Sequence, residues 1–352
     1  MNKKIFFVIP FVLISLLVGI LAGLFRMGWS IPIGQVAGEH GALMVGSFLG
    51  TLICLERIVA LKKKWLYIIP IISGFSLIFF LIGNQPLGFA LLSIGSLGLI
   101  YIYVDLISRF KEYYFYIMMM GAIGWAVGNI IMIFKPFYPA AAPWWIAFIL
   151  LTVFGERLEL SKFLPQSKRK RQTMFIAISI FMMGLIFPYH LWGNYISGLG
   201  MILMAVWLLH YDIARKSVKS HGMHRFTGSL LLAGYFWMVI CGLLMIINSE
   251  SLFNYDAMLH AFFLGFTFSM IFAHAPIIFP GVAGLAIRPF HGTLYIWAVL
   301  LQITLALRII FELMMDSELR RVFGMLNGII ILLFFINLVI LIISKQRKAR
   351  DI

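Results

Sequence analysis

Residues 258–281 read MLHAFFLGFTFSMIFAHAPIIFPG, and this stretch decides the fold of the chain. It is long and apolar enough to cross a lipid bilayer as one helix, yet it contains His260 and His274. Ionisable side chains are costly inside an apolar span, so each histidine is a candidate functional residue. The fourteen residues between them correspond to nearly four helical turns and to roughly 21 Å along the axis. The sequence therefore predicts a membrane helix with one imidazole near each bilayer face, both rings pointing to nearly the same side.

The composition of the whole chain places it in a membrane. Of its 352 residues, 62% are hydrophobic and 12% are charged, and the mean hydropathy is +1.01. A soluble domain cannot bury that much apolar surface, so the lipid bilayer is the predicted partner. The formal net charge of +15 comes from short basic runs between apolar stretches, which indicates membrane topology and argues against nucleic acid. Cys54 and Cys241 fall inside apolar stretches and are interpreted as core residues.

Windows of about 20 apolar residues predict an all-α polytopic membrane protein with about twelve transmembrane helices in a single domain, 1–352. The predicted spans are 5–25, 40–61, 65–83, 87–107, 113–134, 143–161, 173–190, 194–213, 226–247, 257–279, 292–310 and 322–343. One side of these spans carries the basic runs, at 3–4, 62–64, 109–111, 168–171, 215–225 and 345–350. By the positive-inside rule that side is cytoplasmic. We therefore expect a multi-pass protein of the bacterial inner membrane with both termini in the cytoplasm.

A short motif recurs at intervals of four predicted helices. The second span ends with Glu56-Arg57, the sixth ends with Glu156-Arg157, and the tenth has His274 in the corresponding place. This spacing suggests three pseudo-repeats of four helices, each contributing its second helix to the interior. Independent adoption of the same helix-end chemistry would also explain the two Glu-Arg pairs.

Two histidines are predicted at the outer end of the bundle. His40 begins the second span and His260 lies near the outer end of the tenth, so both are expected at the same depth. Small residues such as Gly41 and Gly265 leave room beside them for a flat macrocycle. Two imidazoles in this arrangement ligate a b-type haem, and the absence of a Cys-x-x-Cys-His motif argues against covalent attachment. The alternative is that both are interfacial residues with hydrated polar tips.

A second polar group is predicted at the inner end. His274 precedes Pro276, which removes one backbone hydrogen bond, and Glu56 and Glu156 are expected at similar depth. Together they would form a site for a metal, a haem or proton transfer. The simpler interpretation of the Glu-Arg pairs is an ion-pair belt that holds helices together without any cofactor.

Three stretches resemble the NnrS family of haem- and copper-containing bacterial membrane proteins. Residues 40–49 (HGALMVGSFL) look like the histidine-bearing entry to that family's early helix. Residues 259–265 (LHAFFLG), with Ser269 and Met270, look like its late Leu-His-Ala helix, and residues 231–237 (LLAGYFW) resemble the helix before it. The resemblance implies a layout similar to the core subunit of haem-copper oxidases, haem binding, and a link to nitric oxide stress.

The chain also departs from that pattern. The family's early helix tends to carry more than one histidine, whereas only His40 is present here. The sixth and seventh spans lack the histidine pairs by which an oxidase holds copper, and the sixth has Glu156 and Arg157 instead. The resemblance therefore supports haem ligation by His40 and His260 but not a binuclear centre that reduces oxygen or nitric oxide. Copper is left open.

The leading interpretation is a haem-b-binding membrane protein in redox chemistry or nitric oxide resistance. His40 and His260 would be its axial ligands, an unidentified electron donor would be its partner, and nitric oxide would be a candidate gas ligand. One alternative is a cofactor-free proton- or ion-coupled transporter that uses the inner Glu, Arg and His residues. Another is an assembly or structural protein. Whether the protein is an enzyme stays open.

Overall fold

The computed structural model of the chain describes residues 3–61, 63–162, 167–247, 251–285 and 287–350. These residues form helices and connecting segments, with no strand among them. Eleven helices in the described part are long and apolar enough to cross a membrane. Helices are the expected solution because every backbone polar group must be satisfied within the segment when no water is at hand. Lys62 and residues 248–250, which belong to predicted loops, lie outside the described residues.

The chain folds into two compact units, Met1–Glu159 with Val282–Leu285, and Leu160–Gly281 with Ala286–Ile352. The α-helices of the first unit are α1 Lys3–Arg26, α2 Thr51–Leu61, α3 Ile68–Leu81, α4 Gln85–Phe110, α5 Tyr113–Phe134 and α6 Tyr138–Leu160. Those of the second are α7 Lys168–Ile186, α8 Asn194–Tyr211, α9 Ala214–Ser217, α10 Gly222–Ile247, α11 Leu252–His260, α12 Phe268–Ala283, α13 Thr293–Leu313 and α14 Ser317–Arg350.

Helix α7 is the difference between eleven spans and the predicted twelve. It overlaps the predicted span 173–190 but begins with four basic or polar residues, Lys168-Arg169-Lys170-Arg171, and it is not among the eleven. Its helical start follows from Ser167, whose hydroxyl accepts a hydrogen bond from the backbone N–H of Lys170 in an N-cap. Twelve spans, and their grouping into repeats of four, stay predictions.

The two spans that carry the outer histidines are not regular α-helices. Residues Ala42–Gly50, directly before α2, and Ala261–Thr267, between α11 and α12, are π-helical. A π-helix has a wider turn, and short π-helical stretches are frequent at functional sites. Both segments pack closely on an aromatic ring of their own unit, since a Cβ at Gly50 would overlap Trp125 and one at Gly265 would overlap Trp237.

Helix α6 is the most enclosed helix of the first unit. In its most apolar stretch of 18 residues, 72% of the residues are buried. Trp145, Phe148 and Thr152 are among the buried residues of this helix. It runs in the same direction as the segment from Glu39 through α2, because side chains of the two segments meet both at their starts and at their ends. The centre of the first unit therefore contains two parallel segments in polar contact at both ends.

Candidate functional site

His40 is held against helix α1. Its Nδ1 lies 2.7 Å from the carbonyl oxygen of Gly19, and its ring lies beside Gly23, where an added Cβ would come within 2.9 Å of Cε1. A carbonyl oxygen can only accept a hydrogen bond, so Nδ1 carries the proton in the neutral imidazole. The ligand-competent nitrogen of His40 is therefore Nε2, the arrangement found in most metal-bound histidines.

His260 has the same arrangement on a different helix. Its Nδ1 lies 2.8 Å from the carbonyl oxygen of Asp256, one turn earlier in α11, which again assigns the proton to Nδ1. Nη2 of Arg308 lies 3.1 Å from Nδ1 and 3.2 Å from Nε2. A nitrogen equally far from both ring nitrogens lies over the ring face, because an in-plane position would overlap Cε1. Nη2 of Arg308 thus lies over the imidazole and not in the in-plane direction of Nε2.

His274 repeats this hydrogen bond in helix α12. Its Nδ1 lies 2.8 Å from the carbonyl oxygen of Met270. Helix α12 continues through Pro276 and Pro280, and the hydroxyl of Thr227 donates a hydrogen bond of 3.0 Å to the carbonyl oxygen of Ala273. All three histidines singled out in the sequence therefore have Nδ1 bound to a backbone carbonyl oxygen.

A buried charge network surrounds His260 in the second unit. We call it the arginine cage, and its members are Asp256, His260, Arg308, Glu312 and Arg320. Both arginines bind the same two oxygens: Oδ2 of Asp256, at 3.0 Å from Arg308 and 3.4 Å from Arg320, and Oε1 of Glu312, at 3.2 Å and 3.1 Å. The Glu312 side chain is fully buried and that of Arg308 is 4% exposed. Two carboxylates and two guanidiniums balance in charge, so the cage is a closed ion-pair network.

Three members of the cage also have the spacing of a metal site. One ligand atom each from Asp256, His260 and Glu312 lies within 4.8 Å of the other two. The two guanidiniums, however, already bind one oxygen of each carboxylate, and their positive charges oppose a divalent cation at the same place. The geometry therefore fits an ion-pair network better than a site in which the two carboxylates and His260 together hold a divalent cation.

The inner polar residues of the first unit meet around Arg57. We call this the Arg57 cluster, formed by Arg57 of α2 with Glu156 and Glu159 of α6. The guanidinium binds Oε1 of Glu156 at 2.5 Å and Oε2 of Glu159 at 3.1 Å. Glu56 lies beside it in α2 and is half-buried. Arg157 is buried, at 4% exposure. Arg57 thus bridges two carboxylates of another helix, as a desolvated guanidinium does well.

The opposite end of the same two segments carries a second polar contact. The hydroxyl of Tyr138, the first residue of α6, donates a hydrogen bond of 2.6 Å to Oε2 of Glu39. Glu39 is 4% exposed. Burial raises the pKa of Glu39, while the Tyr138 hydrogen bond and the nearby charge of Arg26 oppose that shift.

Sequence reasoning missed several residues of these networks. Arg308, Glu312 and Arg320 lie at the ends of predicted spans, where charged residues are ordinary. The available signal was the spacing of Arg308 and Glu312, four residues apart within an apolar helix, which places both on one face. Glu159 was likewise passed over, although it lies one turn after Glu156.

The predicted site residues are divided between the two units. His40, Glu56, Arg57, Glu156 and Arg157 belong to the first unit, and His260 and His274 to the second. Ligation of one haem by His40 and His260 therefore stays a prediction. The same holds for a site that combines His274 with Glu56 and Glu156.

Comparison with known proteins gives one family. Residues 4–343 match the model of a domain of unknown function, DUF8744. The chain belongs to this family. Neither the curated proteins nor the solved structures contain a match to the chain. Membership of DUF8744 covers almost the whole chain and so includes both units, the arginine cage and the Arg57 cluster.

Proposed function

We propose that this membrane protein binds haem b through Nε2 of His40 and Nε2 of His260 and acts in redox chemistry or nitric oxide resistance. The observation that carries the proposal is the shared hydrogen bond of the two rings. Each Nδ1 lies within 2.8 Å of a backbone carbonyl oxygen, which leaves Nε2 as the ligand nitrogen. Bound haem supplies one-electron redox chemistry, and the protein supplies the fixed orientation of the two imidazoles.

The backbone around the two histidines gives further support. Each stands within two residues of the start of a π-helical segment, Ala42–Gly50 for His40 and Ala261–Thr267 for His260. The widened helical turn is common where a side chain has to be aimed at a site. Nη2 of Arg308, which contacts both ring nitrogens of His260, restricts the rotation of the ring and so helps to aim Nε2.

The membrane topology belongs to the same proposal. We infer about twelve spans in the bacterial inner membrane, with both termini in the cytoplasm, from the distribution of basic residues. Reporter fusions after residues 170 and 248 should report opposite sides of the membrane. A result that puts both on one side would show that the number of spans is wrong. Copper, and a second haem or metal at His274, rest only on the resemblance and on sequence spacing.

The haem proposal is tested by absorption spectroscopy of protein purified from cells with ample haem. We expect a b-type reduced-minus-oxidised spectrum that loses its low-spin component in His40→Ala and in His260→Ala, because each change removes a nitrogen that would bind the iron. The matched control is His210→Ala, since the Nδ1 of His210 also lies near a carbonyl oxygen, that of Val206, at 3.2 Å, but its side chain is exposed. Colourless protein, or a spectrum insensitive to both substitutions, would refute the proposal.

A cofactor-free proton- or ion-coupled transporter is the second candidate function. The observation that favours it is the partial exposure of Glu156 and Glu159, 27% and 32%, beside the Arg57 guanidinium. Carboxylates that reach the surface can exchange protons or cations with solvent. Purified protein can be reconstituted into vesicles and the internal pH followed. A change of internal pH produced by protein that has no Soret band would favour this function over haem binding.

A further inference from the structure

One face of helix α6 has a side chain with a polar atom about every second turn. Tyr138, Trp145, Thr152 and Glu159 follow one another at intervals of seven residues, and Glu156 lies one turn after Thr152. Seven residues are nearly two helical turns, so these side chains share one face of the helix. The stretch from Tyr138 to Glu159 covers roughly 31 Å, about the thickness of the hydrocarbon core of a bilayer. We call this face the α6 stripe.

The parallel segment from Glu39 through α2 faces the stripe at both ends. Tyr138 binds Glu39 at one end, and Glu156 and Glu159 bind Arg57 at the other. The interval between the two contacts is eighteen residues on both segments, from 39 to 57 and from 138 to 156. The two segments therefore stay in register across the thickness of the unit.

Between these ends the first unit contains buried polar atoms that have no hydrogen-bond partner among the described residues. They are Oγ1 of Thr51, Nε1 of Trp125, Nδ2 of Asn129 and Oγ1 of Thr152. At the Arg57 end, Nε of Arg57 and the hydroxyl of Tyr103 are also buried without a hydrogen-bond partner among the described residues. An unsatisfied polar group in a membrane interior costs several kcal/mol, about the price of a lost hydrogen bond in hydrocarbon. So many in one unit indicate that water reaches them.

These atoms are linked to the stripe by direct contacts. Nε1 of Trp145 donates a hydrogen bond of 3.2 Å to Oδ1 of Asn129. Trp125 stacks on Phe148 with ring centroids 4.8 Å apart, one turn before Thr152, and its ring abuts Gly50, the neighbour of Thr51. Helix α5 therefore contacts α6 through Asn129 and Trp125, and the Trp125 ring also contacts the π-helical segment.

We propose that the α6 stripe lines a hydrated path that conducts protons through the first unit between Glu156 and Glu39. The chemistry of the lining selects protons over metal ions. From Trp145 to Thr152 the stripe offers an indole and a hydroxyl, and no carboxylate, whereas a permeating cation needs several oxygen ligands at once. A proton needs only a chain of water and hydroxyl groups. Each proton that enters from water at one end is matched by one released at the other, so no bond or electron balance changes.

Both ends of the path come close to solvent. Glu156 and Glu159 are partly exposed, and Glu39, although buried, follows the exposed residue Gly38 and interacts with the exposed Arg26. Haem is not part of this proposal, so the path can be tested on protein with or without bound haem.

The test is proton flux into proteoliposomes that contain the full chain, an internal pH-sensitive dye and a valinomycin-imposed potassium potential. Loss of one hydroxyl in Thr152→Val should slow the flux about tenfold, the equivalent of one hydrogen bond, while Thr152→Ser should keep most of it. The control is Thr227→Val in the second unit, whose hydroxyl binds the Ala273 carbonyl oxygen and which should leave the flux unchanged. Flux no faster than in protein-free vesicles, or equal flux in Thr152→Val, would overturn the proposal.

Hydroxyl-radical labelling provides a second measurement that does not depend on a substitution. Bound water beside a side chain increases its labelling even when bulk solvent cannot reach it. Trp125 is fully buried, whereas Trp237 is 7% exposed and its Nε1 donates a hydrogen bond of 2.6 Å to Gln302. We expect faster labelling of Trp125 than of Trp237. The reverse order, which burial alone predicts, would show that the stripe is dry.

Discussion

The arginine cage of the second unit and the Arg57 cluster of the first are both networks of arginine–carboxylate ion pairs, but they differ in how far their side chains are buried. In the cage, two guanidiniums bind the same pair of carboxylate oxygens, and Glu312 is fully buried. In the Arg57 cluster, one guanidinium binds two glutamates that are 27% and 32% exposed. The first network is balanced in charge and has a buried centre, Arg308 with Glu312, while Asp256 and Arg320 at its edge are 28% and 22% exposed. In the second, both carboxylates reach solvent.

This difference separates a structural role from a functional one. A buried ion pair costs much to break, because the remaining charge is left in a medium that cannot solvate it. A pair whose carboxylates reach solvent costs less to break, since water and salt can then replace the lost partner. The cage should therefore determine the stability of its helices, whereas the Arg57 cluster is free to exchange protons without loss of the fold.

The largest expected effect is that of removing one cation from the cage. Arg308→Met leaves Asp256 and Glu312 with only Arg320, so we expect a loss of about 3–5 kcal/mol in the free energy of unfolding. Thermal unfolding in detergent measures it. The double variant Arg308→Met/Glu312→Met should recover much of that loss, because it removes the uncompensated charge as well. A loss below about 1 kcal/mol in the single variant would show that the cage is not a closed network.

The second effect tests packing at the centre of the first unit. A Cβ at Gly50 would overlap the ring of Trp125, so Gly50→Ala should cost about 1–3 kcal/mol through overpacking. Gly38→Ala is the matched control, since an added Cβ there has no neighbour within 4 Å. Equal melting temperatures for the two variants would mean that the π-helical segment can shift away from Trp125. The stripe would then be looser than its contacts indicate.

The third effect is the counterpart of the cage substitution. Arg57→Gln removes two ion pairs of a guanidinium that is 12% exposed, but Glu156 and Glu159 keep contact with solvent, so we expect a smaller loss than that of Arg308→Met, about 1 kcal/mol. The measurement is the same unfolding experiment, run beside Arg308→Met. The comparison between the two networks fails if Arg57→Gln destabilises the protein as much as Arg308→Met does.

Much of the architecture could be predicted from the sequence, because a bilayer leaves few choices. Long apolar stretches predict helices, and the described part of the chain forms helices joined by short connections, without a strand. The cost of charge in hydrocarbon singled out Arg57 and Glu156, which form an ion pair. The partners of Asp256, which lies beside His260 in the arginine cage, were not predictable in the same way. Arg308 and Arg320 come from helices some fifty and sixty residues later in the chain, and their proximity depends on packing.

The π-helical segments show a second limit of sequence reasoning. Helix type is read from the period of apolar residues, and Ala42–Gly50 is apolar on nearly every side. Such a stretch gives no period to distinguish an α-helix from a wider one. The close approach of Gly50 to Trp125 becomes visible only when α5 is in place.

The smallest expected effect concerns a buried charge held by rings instead of carboxylates. Lys170 is 9% exposed, and its Nζ lies 5.6 Å from the ring centroid of Trp207 and 5.1 Å from that of Tyr211. Burial lowers the pKa of Lys170, and the nearby charge of Asp212 partly opposes the shift. Between the lowered pKa and the ordinary value of about 10.5 the unfolded chain binds more protons than the folded one, so stability should rise with pH through that window.

Lys170→Met should remove this rise, while the exposed Lys168→Met should retain it. Melting temperatures of the three proteins between about pH 8 and pH 10.5 measure the slope. If the wild-type chain loses stability over this range relative to Lys170→Met, the sign is reversed and carboxylate pairing, not burial, dominates at Lys170. The charge of Lys170 would then be stabilised by a carboxylate, as in the two ion-pair networks. Burial alone would no longer explain why the arginine cage and the Arg57 cluster should differ in their contribution to stability.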